Sequence, residues 1–519
     1  MKSAEKVGIF VKILDRIEII GNKLPNPATI FVIFSLAIII ASHIAARAGI
    51  SVSFTSFNAD LGTTEEHWFE AVSLMTAEGF RFMVTSFVSN FVNFLPVGTV
   101  FTVMLGIGVA DRSGLLKSLL RKITKATPAA LLSPVVVLLG ILSNVASVFG
   151  FVVLMPLSAL LFISCKRHPL AGLAASFAGV SGGWAANIFI APNDIIFADI
   201  STQAAHIIDT SYVVLPVSNW YFMAASTVLI TALGAWVTDA IVEPRLGKYN
   251  GAEDVNTTES VEVEDISAYE KRGLKWAGIA LAAYAAIILA LLLPANAVLR
   301  NPDTGDILVS PFMSSILFFV TAMFLVPGIA YGTGAGTIRS DNDIINMMVE
   351  SVKGIVDFLV LIFFAAQFVA HFNYSNLGII MSISGAGFLS DIGFQGLPLL
   401  VSFILLTSSI NLFFALDIAK WAMMAPVFVP MFMLLGISPE VTQLAYRIGD
   451  STTNMISPLM PFFPMMIAYV QKYNKHAGIG TTISLMLPYN IFFLSAWIIL
   501  FAVWYILGLP PGPGSFLAY

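Results

Sequence analysis

Five charged side chains lie within otherwise apolar stretches of the sequence, away from the charged loops: Asp194, Asp417, Lys420, Arg447 and Asp450. An arginine can hold a carboxylate through two parallel hydrogen bonds, and a lysine can hold a second anionic group. A buried aspartate can exchange a proton or contribute an oxygen to a cation site. These residue types therefore fit a pathway for an organic anion and a coupling cation. A structural alternative is that Arg447 and Asp450, three positions apart on a predicted helix, only neutralise each other.

The composition indicates that these charges lie inside a membrane protein. Of 519 residues, 57% are hydrophobic and 11% are charged, whereas soluble domains have roughly 45–50% and 25%. A charge at the bilayer centre costs on the order of 2.5–3.5 kcal/mol, so such residues are candidates for function. Seven charge-free runs exceed the roughly 20 residues that a transmembrane helix needs: 24–46, 82–110, 126–165, 169–193, 210–238, 276–299 and 307–338.

The distribution of lysine and arginine predicts the orientation. If the N-terminus is cytoplasmic, 21 of the 26 basic residues fall in cytoplasmic loops. The run 476–519 has no Lys, Arg, Asp or Glu and must end on the far side, so the number of spans is odd. The first apolar stretch is too long for the core of a signal peptide. We predict a multi-pass inner-membrane protein with nine spans, a cytoplasmic N-terminus and a periplasmic C-terminus.

Other classes of protein fit the sequence less well. It has no His-Glu-x-x-His helix, no Gly-x-Ser-x-Gly elbow and no phosphate-binding loop, and Cys165 is its only cysteine. We therefore expect neither an enzyme nor an ATP-driven pump, and no cofactor. A channel would need a continuous polar pore, whereas the buried charges cluster at two places. The net charge of −5 is spread through loops and predicts no nucleic-acid partner.

A re-entrant hairpin is predicted at about 126–165. These positions are uncharged and cover twice the length of one span, yet basic residues flank both ends, which places both ends in the cytoplasm. A helix–turn–helix that enters and leaves on one side satisfies this pattern, with its turn at 143–147. Two full spans joined by a tight outer turn are the alternative. The second half has a counterpart at about 392–436, which is apolar except at Asp417 and Lys420.

A thin internal repeat relates the two hairpins. Residues 147–156 align with 417–426, and 182–187 then align with 449–454 after a small gap. Each hairpin is followed by a helix that glycine and polar residues interrupt. Because the first hairpin opens from the inside and the second from the outside, the two halves have inverted topology. The predicted segments are a first half at 1–241 with a broken helix at about 169–206, a cytoplasmic acidic loop at 242–272, and a second half at 273–519 with a broken helix at about 440–471.

The fold class that follows is an all-α polytopic membrane protein with nine transmembrane helices and two re-entrant helical hairpins in an inverted repeat. Backbone that is freed at the midplane is tolerated only where it lines a protein cavity. There its carbonyls and half-helix N-termini can bind cations and anionic substrate groups. Two hairpin turns that face two broken helices therefore predict one central site of a secondary transporter.

Motifs around these breaks resemble the AbgT family of aminobenzoyl-glutamate transporters, and the match spans nearly the whole chain. In the second half it is carried by Ala419–Phe432 (AKWAMMAPVFVPMF), Tyr446–Ser451 (YRIGDS) and Pro458–Pro461 (PLMP). In the first half it is carried by 143–144, 152–156, 181–183 and 186–187. The resemblance implies an AbgT-like homodimer in the bacterial inner membrane. It implies ion-coupled transport of p-aminobenzoyl-glutamate, a folate breakdown product, or of a related aromatic carboxylate. The alternative is proton-driven efflux of sulfonamide-type antimetabolites.

The family's site residues would fall on Asp194, Trp421, Pro439, Arg447, Asp450 and Pro458. In the mechanism that we expect, Arg447 binds a substrate carboxylate, Lys420 holds a second anionic group, and Trp421 stacks on the aryl ring. A lipid-facing or interfacial tryptophan is the alternative for Trp421. The coupling cation is H+ or Na+, and the expected ion-coupling residues are Asp450, Asp194, Asp417, Asn144, Asn187 and Asn454. Sodium, if used, would bind at the hairpin tips.

Two positions depart from the family pattern. An acidic residue usually follows the Ala-Ser of the first hairpin tip, where this chain has Val148. A serine usually stands at the second tip, where this chain has Asp417. A carboxylate has thus moved from one tip to the other, which leaves the coupling ion, the substrate and the direction of transport open.

Overall fold

Several helices of this chain begin at a proline in their first turn, among them those that start at Pro27, Pro169, Pro192 and Pro439. The computed structural model describes residues 25–58, 63–125, 127–146, 150–249, 266–294, 296–353 and 356–519. Within these ranges six helices are long and apolar enough to cross a membrane, and six shorter apolar helices accompany them. A helix satisfies its backbone hydrogen bonds internally, as a bilayer requires. The prediction of an almost entirely helical multi-pass protein is confirmed, whereas the count of nine spans stays a prediction.

The elements of the first part of the chain are, in order, α1 (Pro27–Arg47), β1 (Ser51–Asn58), β2 (Thr63–Glu70), α2 (Ala77–Thr85), α3 (Phe87–Val92), α4 (Leu95–Arg112), α5 (Leu115–Lys125), α6 (Leu132–Ser143), α7 (Met155–Ser164), α8 (Pro169–Phe177), α9 (Pro192–Ala205), α10 (Trp220–Val237) and α11 (Glu243–Leu246). Those of the second part are α12 (Ala268–Leu292), α13 (Pro311–Ser314), α14 (Ile316–Ala335), α15 (Asp341–Lys353), α16 (Val356–Tyr374), α17 (Leu377–Asp391), α18 (Gly396–Asn411), α19 (Asp417–Met433), α20 (Pro439–Thr453), α21 (Phe463–Gln471) and α22 (Ile479–Ile506).

The two strands form one antiparallel hairpin that the sequence analysis does not predict. Ser51 pairs with Glu70, and the register continues to the pair of Asn58 and Thr63. The segment 51–57 alternates polar and apolar residues for most of its length, which is the usual signal of a strand. Among the described residues, the strands of this hairpin after α1 are the only regular elements that are not helical.

In the first half, two interrupted helical segments follow each other. α6 ends at Ser143, a 3₁₀ turn covers Asn144–Ala146, and a π-helical segment at Gly150–Leu154 leads into α7. α8 continues as a π-helical segment to Gly182, and helical structure then stops until Pro192 begins α9. Proline is favourable at the first position of a helix because its missing N–H would have no partner there. We call α6 and α7 the first hairpin, and 183–191 the first break.

The second half has the same order of elements. α18 ends at Asn411, a short non-helical turn follows, and α19 begins at Asp417. α20 ends in a 3₁₀ turn at Asn454–Ile456, and the chain is then non-helical until α21. Pro458 and Pro461 lie in this gap and have no backbone N–H, so each would remove a hydrogen bond from a continuing helix. We call α18 and α19 the second hairpin, and 457–462 the second break.

The second hairpin and the interrupted helices pack together in the centre of the molecule. α19 packs against α9, α17 and α20, and α18 packs against α20. Outside this centre, α14 packs against both α12 and α4. α12 buries only Gly273 and Ala277, so most of its apolar surface faces away from the rest of the chain. A surface of this kind fits contact with lipid or with a second subunit.

Some sequence predictions fall on residues that the structure does not describe. These are the N-terminal basic residues up to Lys23, residues 250–265 of the acidic loop predicted at 242–272, and the first-tip position Val148. The division of the chain at 241 and 273, and the side from which each hairpin enters the membrane, stay predictions.

Candidate functional site

Four of the five charged residues predicted for the site form two buried ion pairs, one between the two interrupted helices and one between the second hairpin and α20. Arg447 Nη2 lies 2.5 Å from Asp194 Oδ1, and Lys420 Nζ lies 2.6 Å from Asp450 Oδ1. No side chain of the four is more than 4% exposed. Charges this deep are retained only when they are paired and hydrogen-bonded, because each has lost its hydration. The pairs therefore hold the centre of the molecule in one arrangement.

The Arg447 pair joins the two halves of the chain. Asp194 is the third residue of α9, and its Oδ2 accepts a hydrogen bond from the backbone N–H of Ala191 at 2.6 Å, which caps the start of that helix. Arg447 comes from the middle of α20, and its guanidinium lies 5.2 Å from the ring centre of Phe197. Its Nε has no hydrogen-bond partner among the described residues. The arginine fork is therefore only partly used by Asp194.

The alternative in which Arg447 and Asp450 merely neutralise each other is wrong. The two residues share α20, but Arg447 pairs with Asp194 of the other half and Asp450 pairs with Lys420 of the second hairpin. Spacing along one helix cannot reveal such pairings, because both partners come from other elements.

The second ion pair is extended by Asn411, which the sequence analysis does not identify. Lys420 Nζ donates to Asn411 Oδ1 at 2.5 Å. The Asn411 amide nitrogen lies 2.7 Å from the backbone oxygen of Asp450 and 2.8 Å from Asn454 Oδ1. Asn411 thus ties the turn of the second hairpin to the end of α20. Its position as an amide inside an apolar stretch is the signal that could have identified it.

Asp417, at the start of α19, differs from the other two aspartates because its partners are uncharged. Its Oδ2 accepts hydrogen bonds from Trp184 Nε1 at 2.7 Å and from Asn193 Nδ2 at 3.1 Å. Its Oδ1 accepts from the backbone N–H of Ile418 at 2.7 Å. Trp184 and Asn193 belong to the first half, and the sequence analysis names neither. Together, Asp417 and the two ion pairs give the central cluster of described residues three carboxylates and two cationic groups.

The three predicted asparagines lie at different places: Asn144 at the first hairpin, Asn187 in the first break, and Asn454 at the end of α20. Asn144 Nδ2 donates to the Gly183 carbonyl at 3.4 Å, and Asn144 Oδ1 is buried without a hydrogen-bond partner among the described residues. Asn187 Oδ1 accepts from the backbone N–H of Phe189 at 3.0 Å. The structure therefore brings Asn144 close to the first break, while Asn454 joins the cluster around Lys420.

Trp421 is fully buried, so the lipid-facing alternative is wrong. Its Nε1 donates to Ser201 Oγ at 3.0 Å, and its ring lies 4.5 Å from that of Tyr446 at an interplanar angle of 33°. The Tyr446 hydroxyl donates to the backbone carbonyl of Asp417 at 2.5 Å. The indole thus lies one residue from Lys420 and packs against a tyrosine that contacts the tip of the second hairpin.

The two predicted prolines occupy different places. Pro458 lies in the second break, directly after the end of the 3₁₀ turn. Pro439 is the first residue of α20, and Arg447 is eight positions further along the helix, a rise of about 12 Å. The structure therefore brings Pro458 near the interrupted end of α20 but does not bring Pro439 to the ion pairs.

The chemistry that this site allows is the replacement of one partner of a buried ion pair by another ion. An incoming carboxylate can compete with Asp194 for the guanidinium, and the released aspartate can then take up a proton or a monovalent cation. Within the described ranges, no group of three or more His, Cys, Asp or Glu side chains is placed to hold a metal ion. Oxygen atoms for a monovalent cation are present instead, in the asparagine side chains and in the carbonyls at the breaks.

Comparison with known proteins gives a consistent result. The sequence profile of the AbgT transporter family matches residues 12–519. The p-aminobenzoyl-glutamate transport protein of Escherichia coli (strain K12) is 35% identical over 505 residues, which cover 97% of each chain. The resemblance identified from the motifs is thereby confirmed.

Two solved structures share the fold. The structure of the Alcanivorax borkumensis YdaH transporter, described as having an unusual topology, superposes with a TM-score of 0.86 at 40% identity, over 94% of this chain and 100% of that one. The structure of Neisseria gonorrhoeae MtrF, described as illuminating a class of antimetabolite efflux pumps, superposes with a TM-score of 0.90 at 46% identity, over 97% of this chain and 100% of that one.

Proposed function

The chain belongs to the AbgT transporter family, and on that premise we propose that it moves p-aminobenzoyl-glutamate or a related aromatic carboxylate across the membrane by ion-coupled alternating access. The observation that carries the proposal is the ion pair of Arg447 and Asp194, which joins the two halves of the chain at 2.5 Å. A substrate carboxylate that binds Arg447 must displace Asp194. The displaced carboxylate is then available to the coupling cation, so substrate and cation bind in a linked way.

Each residue of the site has a distinct part in this proposal. Arg447 offers the substrate carboxylate the planar fork that Asp194 uses only in part. Trp421 stacks on the aryl ring once the substrate separates it from Tyr446. Lys420 binds a second anionic group, and that step releases Asp450 for the coupling ion. Pro458 ends the helical segment that carries Arg447 and Asp450, which leaves nearby carbonyls without helical partners.

The coupling ion is a proton or sodium, and two features support a site for it. Asp417 is a half-buried carboxylate whose hydrogen-bond donors are all neutral, so one negative charge of the cluster has no cationic partner among the described residues. A proton or a monovalent cation there would balance the charge. At the first hairpin, the unpartnered Oδ1 of Asn144 lies near the first break and fits the oxygen ligands that sodium prefers. Asn187 and Asn454 add side-chain oxygens at the two breaks.

A second candidate function is export of sulfonamide-type antimetabolites. It is favoured by the comparison with Neisseria gonorrhoeae MtrF, because this chain is 46% identical to that protein and 35% identical to the aminobenzoyl-glutamate relative. A sulfonamide would use the same aryl contact with Trp421 but has no carboxylate for Arg447. The two functions therefore differ in how strongly they depend on the arginine.

We further propose that the protein is a homodimer in the bacterial inner membrane, with its N-terminus in the cytoplasm and its C-terminus in the periplasm. The concentration of basic residues in the predicted inner loops supports this orientation. The apolar surface of α12 that the rest of the chain leaves uncovered supports a lipid-facing or subunit-facing role.

The test is uptake into proteoliposomes with an imposed proton or sodium gradient, using p-aminobenzoyl-glutamate, a sulfonamide and a panel of aromatic amides. We expect saturable, gradient-dependent movement of the carboxylated compounds. Large single-channel currents, or no movement of any aromatic compound under either gradient, would overturn the proposal. Preference for the sulfonamide over p-aminobenzoyl-glutamate would favour the second candidate.

A further inference from the structure

A chain of four buried hydrogen bonds ends on the indole of Trp421. The Trp421 N–H donates to Ser201 Oγ at 3.0 Å, and the Ser201 hydroxyl donates to Gln443 Oε1 at 2.7 Å. Gln443 Nε2 donates to Asn219 Oδ1 at 2.8 Å, and Asn219 Nδ2 donates to the backbone carbonyl of Glu440 at 2.9 Å. All side chains in this series of hydrogen bonds belong to residues that are no more than 1% exposed.

The direction of every bond in this chain is fixed by its first member. An indole N–H can only donate, so Ser201 must accept from it and can pass its own single proton only onward. Gln443 must then present its oxygen to Ser201 and its amino group to Asn219. Asn219 in turn presents its amino group to the carbonyl. Loss of any one group leaves a buried partner unsatisfied, which costs more than the net gain of an ordinary hydrogen bond.

The four bonds join elements from both halves of the chain. Trp421 belongs to the second hairpin, Ser201 to α9 of the first half, and Gln443 to α20. Asn219 directly precedes α10, a helix outside both interrupted segments. The face of the indole packs on Tyr446 while its edge is held by Ser201. The ring of Trp421 thus has one fixed orientation in this conformation.

We propose that Ser201 and Gln443 are positioning residues that set affinity for the aromatic ring of the substrate through the indole of Trp421. The inference rests on the proposed function, because it assumes that the substrate ring stacks on Trp421. Neither residue needs to touch the substrate. Ser201 fixes the angle of the indole. Gln443 accepts the hydroxyl proton of Ser201, so the Ser201 oxygen is left to accept from the indole N–H.

The experiment measures KM and maximal rate for p-aminobenzoyl-glutamate in proteoliposomes with Ser201→Ala. Loss of one neutral hydrogen bond should raise KM about three- to tenfold with little change in maximal rate. Inhibition by N-acetyl-glutamate, which has the glutamate carboxylates but no ring, should be unchanged. Ser201→Thr keeps the hydroxyl and should restore most of the affinity. Gln443→Met removes the onward acceptor and should shift KM in the same direction, which keeps the test available if Ser201→Ala does not fold.

The protein contains a matched control for Ser201→Ala elsewhere in the fold. Trp497 Nε1 donates to Ser226 Oγ at 2.6 Å, and both residues are fully buried, so Ser226→Ala removes the same kind of bond between α10 and α22. We expect Ser226→Ala to keep the wild-type KM. An unchanged KM in both Ser201→Ala and Gln443→Met, or equal losses for the substrate and for N-acetyl-glutamate, would overturn the inference. Failure of the wild type to transport p-aminobenzoyl-glutamate would instead overturn the proposed function.

Discussion

Arg447 and Asp194 are 253 positions apart in the sequence, yet their side chains meet at 2.5 Å between α20 and α9. The contact joins the interrupted helix of the second half to that of the first, and it lies one helical turn from Asp450. A substrate that takes the arginine from this aspartate would change the charge balance of both halves at once.

Replacing Arg447 by lysine keeps the positive charge but removes the planar fork. Affinity for a carboxylated substrate should fall by about 1–3 kcal/mol, because a charge-assisted hydrogen bond is lost. Affinity for an uncharged aryl amide should change far less. The measurement is competition of both compounds against labelled substrate in proteoliposomes. Equal losses for both compounds would assign Arg447 a purely structural role through Asp194.

Asp450→Asn leaves the Lys420 ammonium buried without a carboxylate partner. Breaking a buried ion pair in this way should lower the free energy of unfolding by about 3–5 kcal/mol. In the double variant Lys420→Met and Asp450→Leu, both charges are removed, so most of that stability should return. Gradient-driven accumulation should be absent in both variants, because each lacks the Asp450 carboxylate. Thermal unfolding of purified protein in detergent measures the first effect. If the double variant is no more stable than Asp450→Asn, the loss comes from packing rather than from the unpaired charge.

Asp417→Ser removes the carboxylate that has only neutral donors. We expect a change in ion dependence that exceeds any change in substrate preference, because Asp417 contacts Trp184 and Asn193 rather than either ion pair. Transport is measured under a proton gradient alone and under a sodium gradient alone, with the same panel of substrates. Unaltered ion dependence together with altered substrate preference would place Asp417 in substrate recognition instead.

The inverted arrangement of the hairpins can be tested with introduced cysteines. Cys165→Ser gives a cysteine-free background, since Cys165 is the only cysteine of the chain. Ser143→Cys and Asp417→Cys should then react with polar thiol reagents only through aqueous cavities that open on opposite faces. A reagent confined to the periplasm that labels both positions readily and equally in one locked state would contradict the inverted arrangement.

The sequence predicts which charges matter but not how they pair. Asp194, Lys420 and Arg447 are conspicuous because an unpaired charge in an apolar stretch is costly, and this cost is visible from the sequence alone. Their partners depend on how α9 and α19 cross α20, which helix periodicity does not determine. The same limit explains why Asn411 and Ser201 are missed, since isolated small polar residues are common in membrane helices and usually bond to their own backbone.

The places where the helices are interrupted can be predicted from the sequence. Glycine and proline mark the places where α8 and α20 stop, because a proline cannot donate to a helix and a glycine weakens it. The β-hairpin after α1 is not predicted from apolar runs of helical length, because strands of eight residues are too short to give such runs. Glycine and proline in the sequence thus predict where the helices are interrupted, whereas the contacts of the interrupted segments depend on tertiary packing.

The central claim is that Asp194 is released by substrate and then carries the coupling ion, and Asp194→Asn tests it most directly. The variant is compared with wild type in proteoliposomes under a proton gradient, a sodium gradient and no gradient. The control is Asp199→Asn, because Asp199 lies on the same helix but accepts a hydrogen bond from Thr99 at 2.7 Å and is in neither ion pair. We expect Asp194→Asn to exchange labelled for unlabelled p-aminobenzoyl-glutamate without a gradient but to accumulate none under either gradient. Accumulation by Asp194→Asn at the wild-type level would contradict the account.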